Sequence, residues 1–297
     1  MLIDSMSDKV FNKINALISA VILILVLYPL IYIISASISD PILVNQGKMW
    51  LYPIGITFTG FKKTFQYQDI WMGYKNTIFY TVVGTLINLF FTLTSAYALS
   101  RKDLIGRSFF AIIFVFTMFF SGGLIPTYLL VKSLGLYNTV WSMLILGAVG
   151  MWNIVIARTY FQTAIPVELK ESAEIDGSSN TTLFIKIVLP LSSPIIAVLA
   201  LFYGVGHWNA FFGALIYLSD RKLYPLQLIL REILVLGQTT EIATSSSEAA
   251  VDMLEQIRLA DIIKYSVMIV SILPVIMVYP FLQRYFVKGM MIGSIKG

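Results

Sequence analysis

The sequence predicts an all-α polytopic membrane protein with six transmembrane helices. Of its 297 residues, 58% are hydrophobic and 12% are charged, whereas roughly 25% of the residues in a soluble domain are charged. Its mean hydropathy is +0.82, and its apolar runs approach the roughly 20 residues that cross a bilayer as a helix. Because lipid offers no partner to an unpaired backbone group, these runs form helices, and the alternating pattern of a barrel strand is absent.

Six apolar runs are candidate spans, and each has the length or composition of a membrane helix. In chain order they are 14–35, 77–99, 108–130, 139–156, 191–218 and 262–281. The first is longer than the roughly 7–15 apolar residues of a cleavable signal peptide, so we expect it to be retained as a span. The fifth is unusually long, so we expect it to be tilted, broken or extended beyond the bilayer. Ser121-Gly122-Gly123 and Pro126 predict a bend near the end of the third.

Charge sets the predicted orientation. Two segments are basic, namely the short loop between Arg101 and Arg107 and the tail between Arg284 and Lys288. The positive-inside rule therefore places this loop and the two termini in the cytoplasm. The predicted parts are an N-terminal tail at 1–13, a six-helix domain at 14–281 and a C-terminal tail at 282–297. That domain includes a cytoplasmic loop at 157–190 and extracellular loops at 36–76 and 219–261.

Composition also excludes several kinds of chemistry. The chain has no Cys and one His, so it has no disulfide or thiolate, and no metal-ligand cluster is predicted. The net charge of +5 suits cytoplasmic loops and lipid headgroups, and no basic cluster with interleaved aromatic residues indicates nucleic acid. A phosphate-binding G-x-x-x-x-G-K-[ST] loop is absent, so any ATP-driven activity would require a partner ATPase.

A polar segment at 168–177 interrupts the apolar runs and predicts a short helix. Pro166 suits its first turn, Glu168 suits the positive end of its dipole, and Gly177 suits its C-terminal stop. Leu169, Ser172 and Ala173 share a narrow face, flanked by acids such as Glu171 and Asp176. A helix on the headgroup surface favours Lys and Arg on its polar face, and this remains the alternative. The acids favour docking onto a protein partner.

These residues carry a resemblance to a known family. The segment from Glu171 to Pro190 resembles the EAA loop of ABC-importer membrane subunits, with Ser172 where Ala is usual. The matching positions are Glu171-Ser172-Ala173, then Gly177 after three residues, Ile187 after nine more, and Leu189-Pro190 after one more. Other motifs resemble the carbohydrate-uptake branch, namely Asn76-Thr77, Ala96-Tyr97-Ala98 with Arg101, Trp208-Asn209, and Gln283-Arg284-Tyr285 through Lys296-Gly297. The run from Ser121 to Pro126 is similar to a subgroup associated with complex oligosaccharides.

The resemblance implies the transmembrane-domain fold of type I ABC importers and a permease subunit of a binding-protein-dependent sugar importer, with an oligosaccharide as substrate, in a bacterial cell membrane. It implies a heterodimer with a second related permease, two ABC ATPase domains and an extracellular solute-binding protein, which the 219–261 loop would contact. ATP and Mg belong to the ATPase, and no cofactor binds this chain directly. The implied ATPase-coupling residues are Glu168, Leu169, Glu171, Ser172, Ala173, Asp176 and Gly177.

Polar and aromatic residues in the fourth and fifth spans are candidates for the substrate pathway, because polar groups at membrane depth often face a cavity. They are Asn153, Tyr203, His207, Trp208 and Asn209. Consecutive helical residues lie about 100° apart. Tyr203 and His207 therefore lie on the same face of the helix, and Trp208 lies on a different face. The alternative for the whole set is hydrogen-bonded packing between helices.

Two other classes of function remain open at this point. A self-powered secondary transporter or channel would contain paired buried acids within its spans, which are absent here. A membrane enzyme would cluster carboxylates or a nucleophile with a base, and no such set with an activating partner is present. No catalytic residue is therefore predicted.

Overall fold

This computed structural model describes residues 6–236 and 248–294, in which all regular secondary structure is helical. In chain order the helices are α1 (Met6–Ser37), α2 (Pro41–Asn45), α3 (Thr59–Gln66), α4 (Gln68–Ser100), α5 (Arg107–Phe119), α6 (Leu124–Ser133), α7 (Trp141–Leu144), α8 (Met151–Ala164), α9 (Val167–Ile175), α10 (Asn180–Leu183), α11 (Leu189–Leu191), α12 (Ser193–Trp208), α13 (Phe212–Tyr217), α14 (Leu226–Leu236) and α15 (Glu248–Ser294). A π-helical turn covers Phe184–Val188, and a 3₁₀ turn covers Arg221–Leu223.

The described chain forms two compact units. One contains the residues up to Ile70 together with Leu230–Leu273, and the other contains Trp71–Ile229 with the residues from Pro274 onward. All of the candidate site residues lie in the second unit.

In the first unit, α1 is long and apolar, and its most hydrophobic stretch is entirely unburied within the chain. The segment after α1 folds back on the helix end, where Ser39 Oγ donates to Ser35 O at 2.7 Å and accepts from Ile54 N at 3.1 Å. Thr64 of α3 and Ser266 of α15 join their hydroxyls at 2.7 Å. Buried hydroxyls therefore help to position the helices of this unit.

Membrane-length helices confirm part of the predicted span pattern. Three helical stretches are long and apolar enough to cross a bilayer, namely Ser7–Ser37, Gln68–Ser100 and Gln256–Val278. Two bent pairs bring the number to at most five among the described residues: α5 with α6, bent by 115°, and Asn180–Leu191 with α12, bent by 80°. The first bend confirms the break predicted at Ser121-Gly122-Gly123, and the second falls near the start of the long fifth run.

The prediction of a continuous helix at 139–156 is wrong. α7 ends at Leu144 and α8 begins at Met151, with Gly147 between them at a φ of +77°. Asn88 Nδ2 donates to Gly147 O at 3.3 Å and to Ala148 O at 2.8 Å. A side chain of α4 thus supplies partners for carbonyls that a helix would have satisfied internally.

The other predicted boundaries also shift. The fifth run, 191–218, is divided into the end of α11, α12 and α13. α2, α3 and the start of α4 occupy much of the predicted loop at 36–76. In the predicted 219–261 loop, α14 and the start of α15 lie on either side of 237–247, which is outside the described residues. α15 runs through the predicted tail to Ser294, whereas the tail side chains and residues 295–297 are outside the described part.

Among the described residues, two apolar clusters lie in the interior of the second unit. The larger joins α4, α8, α9, α10, the π turn and α12, and its buried members include Ala96, Ile154, Ala157, Ala173, Leu183 and Leu199. The smaller surrounds Tyr80 and joins α4 to α7, α13 and α14 through Leu144, Ala214, Leu218 and Leu228. α4 contributes to both clusters and is therefore the central helix of this unit.

The irregular segment between α13 and α14 is held by side chains from earlier in the chain. Asn76 Nδ2 donates to Lys222 O at 2.7 Å and to Tyr224 O at 3.0 Å. Asn138, in the left-handed region at φ +57°, accepts at Oδ1 from the backbone N–H groups of Ser219 and Asp220 at 2.9 and 2.8 Å. These side chains supply hydrogen-bond partners for backbone groups that no helix or sheet satisfies.

Candidate functional site

The polar segment forms α9 and ends in a tight turn. Ser178 N–H donates to Ala173 O at 2.9 Å, which is the 6→1 hydrogen bond of a Schellman C-cap. Asp176 N–H makes an ordinary helical bond to Ser172 O at 3.0 Å. This turn requires a positive φ, and Gly177 adopts +71°. Gly177 therefore stops the helix where the sequence predicts a stop, and it redirects the chain toward α10.

The predicted ATPase-coupling residues divide between two environments. Glu168, Glu171, Ser172, Asp176 and Gly177 are exposed, and Leu169 is 37% exposed. Ala173 is only 5% exposed and belongs to the larger apolar cluster. Ala173 therefore attaches α9 to its own chain, whereas the acids and Leu169 are accessible from outside.

An aromatic contact connects the segment after α9 to the end of α4. Tyr97 stacks on Phe184 of the π turn, with ring centroids 4.7 Å apart, and meets Phe161 of α8 edge-on at 6.2 Å. Arg101 Nη1 donates to Tyr97 OH at 3.3 Å and pairs with Asp103 through two short hydrogen bonds. These bonds to the Asp103 carboxylate raise the pKa of the Arg101 guanidinium above its ordinary value.

A second region is an open cleft between α4, α7, α12 and α13. Its volume is about 280 Å³. Its larger polar and aromatic lining residues are Asn88, Ser142, Phe202, Tyr203, His207 and Tyr217. The remainder of the lining is glycine, alanine, methionine and leucine, so none of the lining residues carries an acidic or a permanently charged basic group. Of the five predicted pathway residues, Tyr203 and His207 line this cleft.

His207 is held against α4 by one hydrogen bond and by close packing. Its Nε2 lies 2.7 Å from Asn88 Oδ1. Asn88 is 2% exposed, and its amide nitrogen already donates to Gly147 O and Ala148 O. A Cβ at Gly84 would overlap the imidazole ring, so only glycine at this position admits the ring.

The face of α4 that meets α12 is polar. Thr92 Oγ1 and Tyr203 OH are 2.6 Å apart. The hydroxyl oxygens of Thr81 and Thr85, about three and two turns before Thr92, are buried without a hydrogen-bond partner in the described structure, close to Gly204. Polar contacts and small residues thus add to the apolar packing that the larger cluster provides between these two helices.

The other three predicted pathway residues lie elsewhere. Trp208 is 7% exposed and packs edge-on against Tyr74 at 6.2 Å. Asn209 is exposed, and its Nδ2 donates to Val205 O at 3.0 Å at the end of α12. Asn153 is half-buried in α8, near Gly150. None of these three lines the cleft.

Sequence reasoning missed Asn88, Thr92 and Gly84, although α4 contains a signal. Thr81, Thr85, Asn88 and Thr92 recur at i, i+4, i+7 and i+11 within an apolar run, which is the spacing of one helix face. A polar stripe inside a membrane helix predicts an interior or cavity-facing side, and the structure places this stripe against α12.

Comparisons with known proteins agree with this geometry. Residues 70–292 match the family described as binding-protein-dependent transport system inner membrane component. The chain is 40% identical to protein LplC of Bacillus subtilis over 98% of this chain and 96% of the relative. It is also 40% identical to the B. subtilis polygalacturonan/rhamnogalacturonan transport system permease protein YtcP, over 91% and 92% of the two chains.

A solved structure extends the similarity to the fold. A chain in the crystal structure of a bacterial ABC transporter that imports the acidic polysaccharide alginate superposes with a TM-score of 0.85 at 34% identity, covering 96% of this chain and all of that one. The match confirms the all-α fold of an ABC-importer transmembrane domain, and the family match confirms the resemblance found around α9. The chain is a membrane-embedded protein that belongs to the family of binding-protein-dependent transport system inner membrane components.

Proposed function

We propose that this chain is a permease subunit of an ATP-driven sugar importer, that it forms half of the translocation pathway, and that α9 couples it to a partner ATPase. The observation that carries the coupling role is the division of α9 into an anchored residue and an accessible acidic surface. Ala173 is buried in the larger cluster, while Glu168, Glu171 and Asp176 are exposed. A helix fixed to its own domain and acidic on its outer side can transmit a movement imposed on that side.

The route from α9 into the membrane domain passes through aromatic packing. The π turn that follows α10 carries Phe184, which stacks on Tyr97 of α4. α4 in turn contacts α12 through Asn88–His207 and Thr92–Tyr203. Displacement of α9 would therefore be passed to α4 and α12, two of the four helices that line the cleft.

Relatives support a sugar as the cargo. YtcP is named for polygalacturonan and rhamnogalacturonan transport, a further relative is named for arabinooligosaccharide transport, and the structural neighbour imports alginate. We infer an oligosaccharide, most simply a fragment of an acidic polysaccharide. The family description implies delivery by a solute-binding protein, and this supports an importer over a self-powered secondary transporter or channel.

The proposed assembly contains parts that this chain does not supply. A second related permease completes the pathway as a heterodimer, and two ABC ATPase domains bind ATP and Mg on the cytoplasmic side. α9 and both termini face that side, as the basic loop at Arg101–Arg107 favours. A solute-binding protein docks on the opposite side.

Charge reversal on α9 tests the coupling role. In Glu171→Lys, we expect about tenfold less ATPase to co-purify with the tagged permease, because a like charge would face the basic groups that we assign to the partner. Glu171→Gln, which removes the charge with little change in shape, should cause a smaller loss. ATP-driven uptake of trigalacturonate into proteoliposomes should fall in the same order.

The matched control is Lys48→Glu, a charge reversal at an exposed residue in the segment predicted to face the opposite side. It should leave ATPase recovery at the wild-type value. Normal recovery and uptake in Glu171→Lys would contradict the coupling role, and an equal loss in Lys48→Glu would show that the effect is not specific to α9.

A further inference from the structure

The cleft between α4 and α12 is suited to a ligand smaller than a whole oligosaccharide. Its volume of about 280 Å³ lies just below the roughly 300–1,000 Å³ that small-molecule sites occupy. Such a volume accommodates one sugar ring of a longer chain. Phe202 and Gly206 of the lining are exposed, and so is Asn209 just after α12. The cleft therefore opens onto a surface along which the rest of a chain could continue.

The hydrogen bonds of Asn88 determine the tautomer of His207. Since Asn88 Nδ2 donates to two backbone carbonyls, its Oδ1 is the atom that faces His207, and an amide oxygen can only accept. Neutral His207 must therefore carry its proton on Nε2 and donate to Asn88. The lone pair on Nδ1 remains as an acceptor on a residue that lines the cleft.

The rest of the lining indicates which part of a sugar fits. Ser142 and Tyr217 add hydroxyl groups, and Phe202, which is 47% exposed, adds an aromatic surface. No lining residue supplies a permanent positive charge, so a carboxylate that entered the cleft would be desolvated without a counterion, which is costly. Hydroxyl groups and the C–H face of a ring meet no such penalty.

We propose that this cleft is a subsite for one sugar ring, bound through its neutral hydroxyl groups and C–H face, in which His207 Nδ1 accepts a hydrogen bond from a ring hydroxyl. The subsite rests on the proposed importer function and adds the substrate chemistry that this subunit recognises. Where the cargo is acidic, its carboxylates point away from this cleft. Asn88 is a positioning residue that fixes the imidazole.

The variant His207→Gln separates recognition from positioning. A glutamine amide nitrogen can replace Nε2 as the donor to Asn88 Oδ1, but glutamine places no acceptor where Nδ1 stands. The measurement is the amount of radiolabelled trigalacturonate retained by the complete transporter trapped with ATP and vanadate. Loss of one hydrogen bond should reduce the apparent affinity about three- to tenfold.

A second ligand tests the chemical class. Fully methyl-esterified trigalacturonate has neutral carboxyl groups and unchanged ring hydroxyls, so His207→Gln should weaken both ligands by the same factor. A factor that differs between them would show that His207 responds to the carboxylates and would overturn the neutral subsite. The control Thr94→Val removes an exposed hydroxyl of α4 that bonds only to its own helix, and it should retain wild-type affinity.

The remaining outcomes separate the two proposals. Failure of the wild-type transporter to take up any sugar with ATP would overturn the importer function and the subsite together. Wild-type uptake combined with undiminished retention in His207→Gln would overturn the subsite alone. An equal loss in Thr94→Val would assign the effect to general destabilisation and would also overturn it.

Discussion

Thr81 and Thr92 lie on the same face of α4, but their hydroxyls have different surroundings. Thr92 Oγ1 shares a hydrogen bond with Tyr203 OH at 2.6 Å, whereas Thr81 Oγ1 is buried without a partner in the described structure. A buried hydroxyl without a partner costs free energy that a methyl group of the same shape does not. Two threonines on one helix face can therefore have opposite effects on stability, one stabilising the fold and the other destabilising it.

Valine at each position tests this difference. We expect Thr92→Val to lower the free energy of unfolding by about 0.5–1.5 kcal/mol, since Tyr203 OH loses its partner. Thr81→Val should leave stability unchanged or raise it slightly. Thermal unfolding of the purified transporter in detergent measures both, and equal losses in the two variants would contradict the assigned hydrogen bonding.

At the scale of elements, the approach of α4 and α12 depends on one glycine. A Cβ at Gly84 would overlap the His207 ring, whereas a Cβ at Gly204 would meet Thr81 and Thr85 at an ordinary 3.8–3.9 Å. The two glycines lie at the same helix pair but differ in the space available. The two helices therefore leave no room for an added methyl group beside His207, but they have room for one at Gly204, one turn away.

Alanine at these two glycines gives a matched pair. We expect Gly84→Ala to destabilise the protein by about 1–3 kcal/mol through overpacking and to reduce uptake, because His207 must leave Asn88. Gly204→Ala should fold and transport normally, since helix propensity favours alanine. Thermal midpoints and proteoliposome uptake measure the pair, and a normal Gly84→Ala protein would refute the close approach.

The elements also show what hydropathy can and cannot predict. α1 was predictable because its apolar run is uninterrupted, and the bend between α5 and α6 was predictable from Ser121-Gly122-Gly123. The break between α7 and α8 was not, because its apolar residues continue across it. That break depends on Asn88, 59 residues away from Gly147 in sequence, and a local pattern contains no information about a distant donor.

Prediction of the candidate site was limited for the same reason. The spacing around Gly177 is local, so the position of α9 and its glycine stop could be read directly from the chain. The burial of Ala173 depends on Leu183 and other residues of the larger cluster, and only the folded chain reveals it. Helix geometry alone predicted that His207 and Trp208 face different directions. It could not predict that their partners are Asn88 and Tyr74, because these residues lie far away in the sequence.

At the scale of the whole molecule, transport requires that movement at α9 reaches α4. The stack of Tyr97 on Phe184 lies on one described route between them. We expect Tyr97→Leu to retain ATP hydrolysis but to lower the sugar transported per ATP about two- to thirtyfold, the range expected for loss of 0.5–2 kcal/mol of coupling.

Tyr97→Phe is the matched control, because it keeps the ring stack and loses only the hydroxyl that accepts from Arg101. It should retain most of the transport per ATP. The ratio is measured by simultaneous assay of sugar uptake and phosphate release in proteoliposomes. An unchanged ratio in Tyr97→Leu would exclude this stack as the route of coupling.

The donors that support irregular backbone in the second unit bear on how the protein is made. Asn88 comes earlier in the chain than the carbonyls of Gly147 and Ala148 that it supports, and Asn76 comes earlier than those of Lys222 and Tyr224. Asn138 likewise comes earlier than Ser219 and Asp220, whose backbone N–H groups donate to it. During synthesis from the N-terminus, each supporting side chain emerges from the ribosome before the backbone that needs it. Co-translational insertion can thus proceed in order at these three segments, because each of them meets a partner that has already been made.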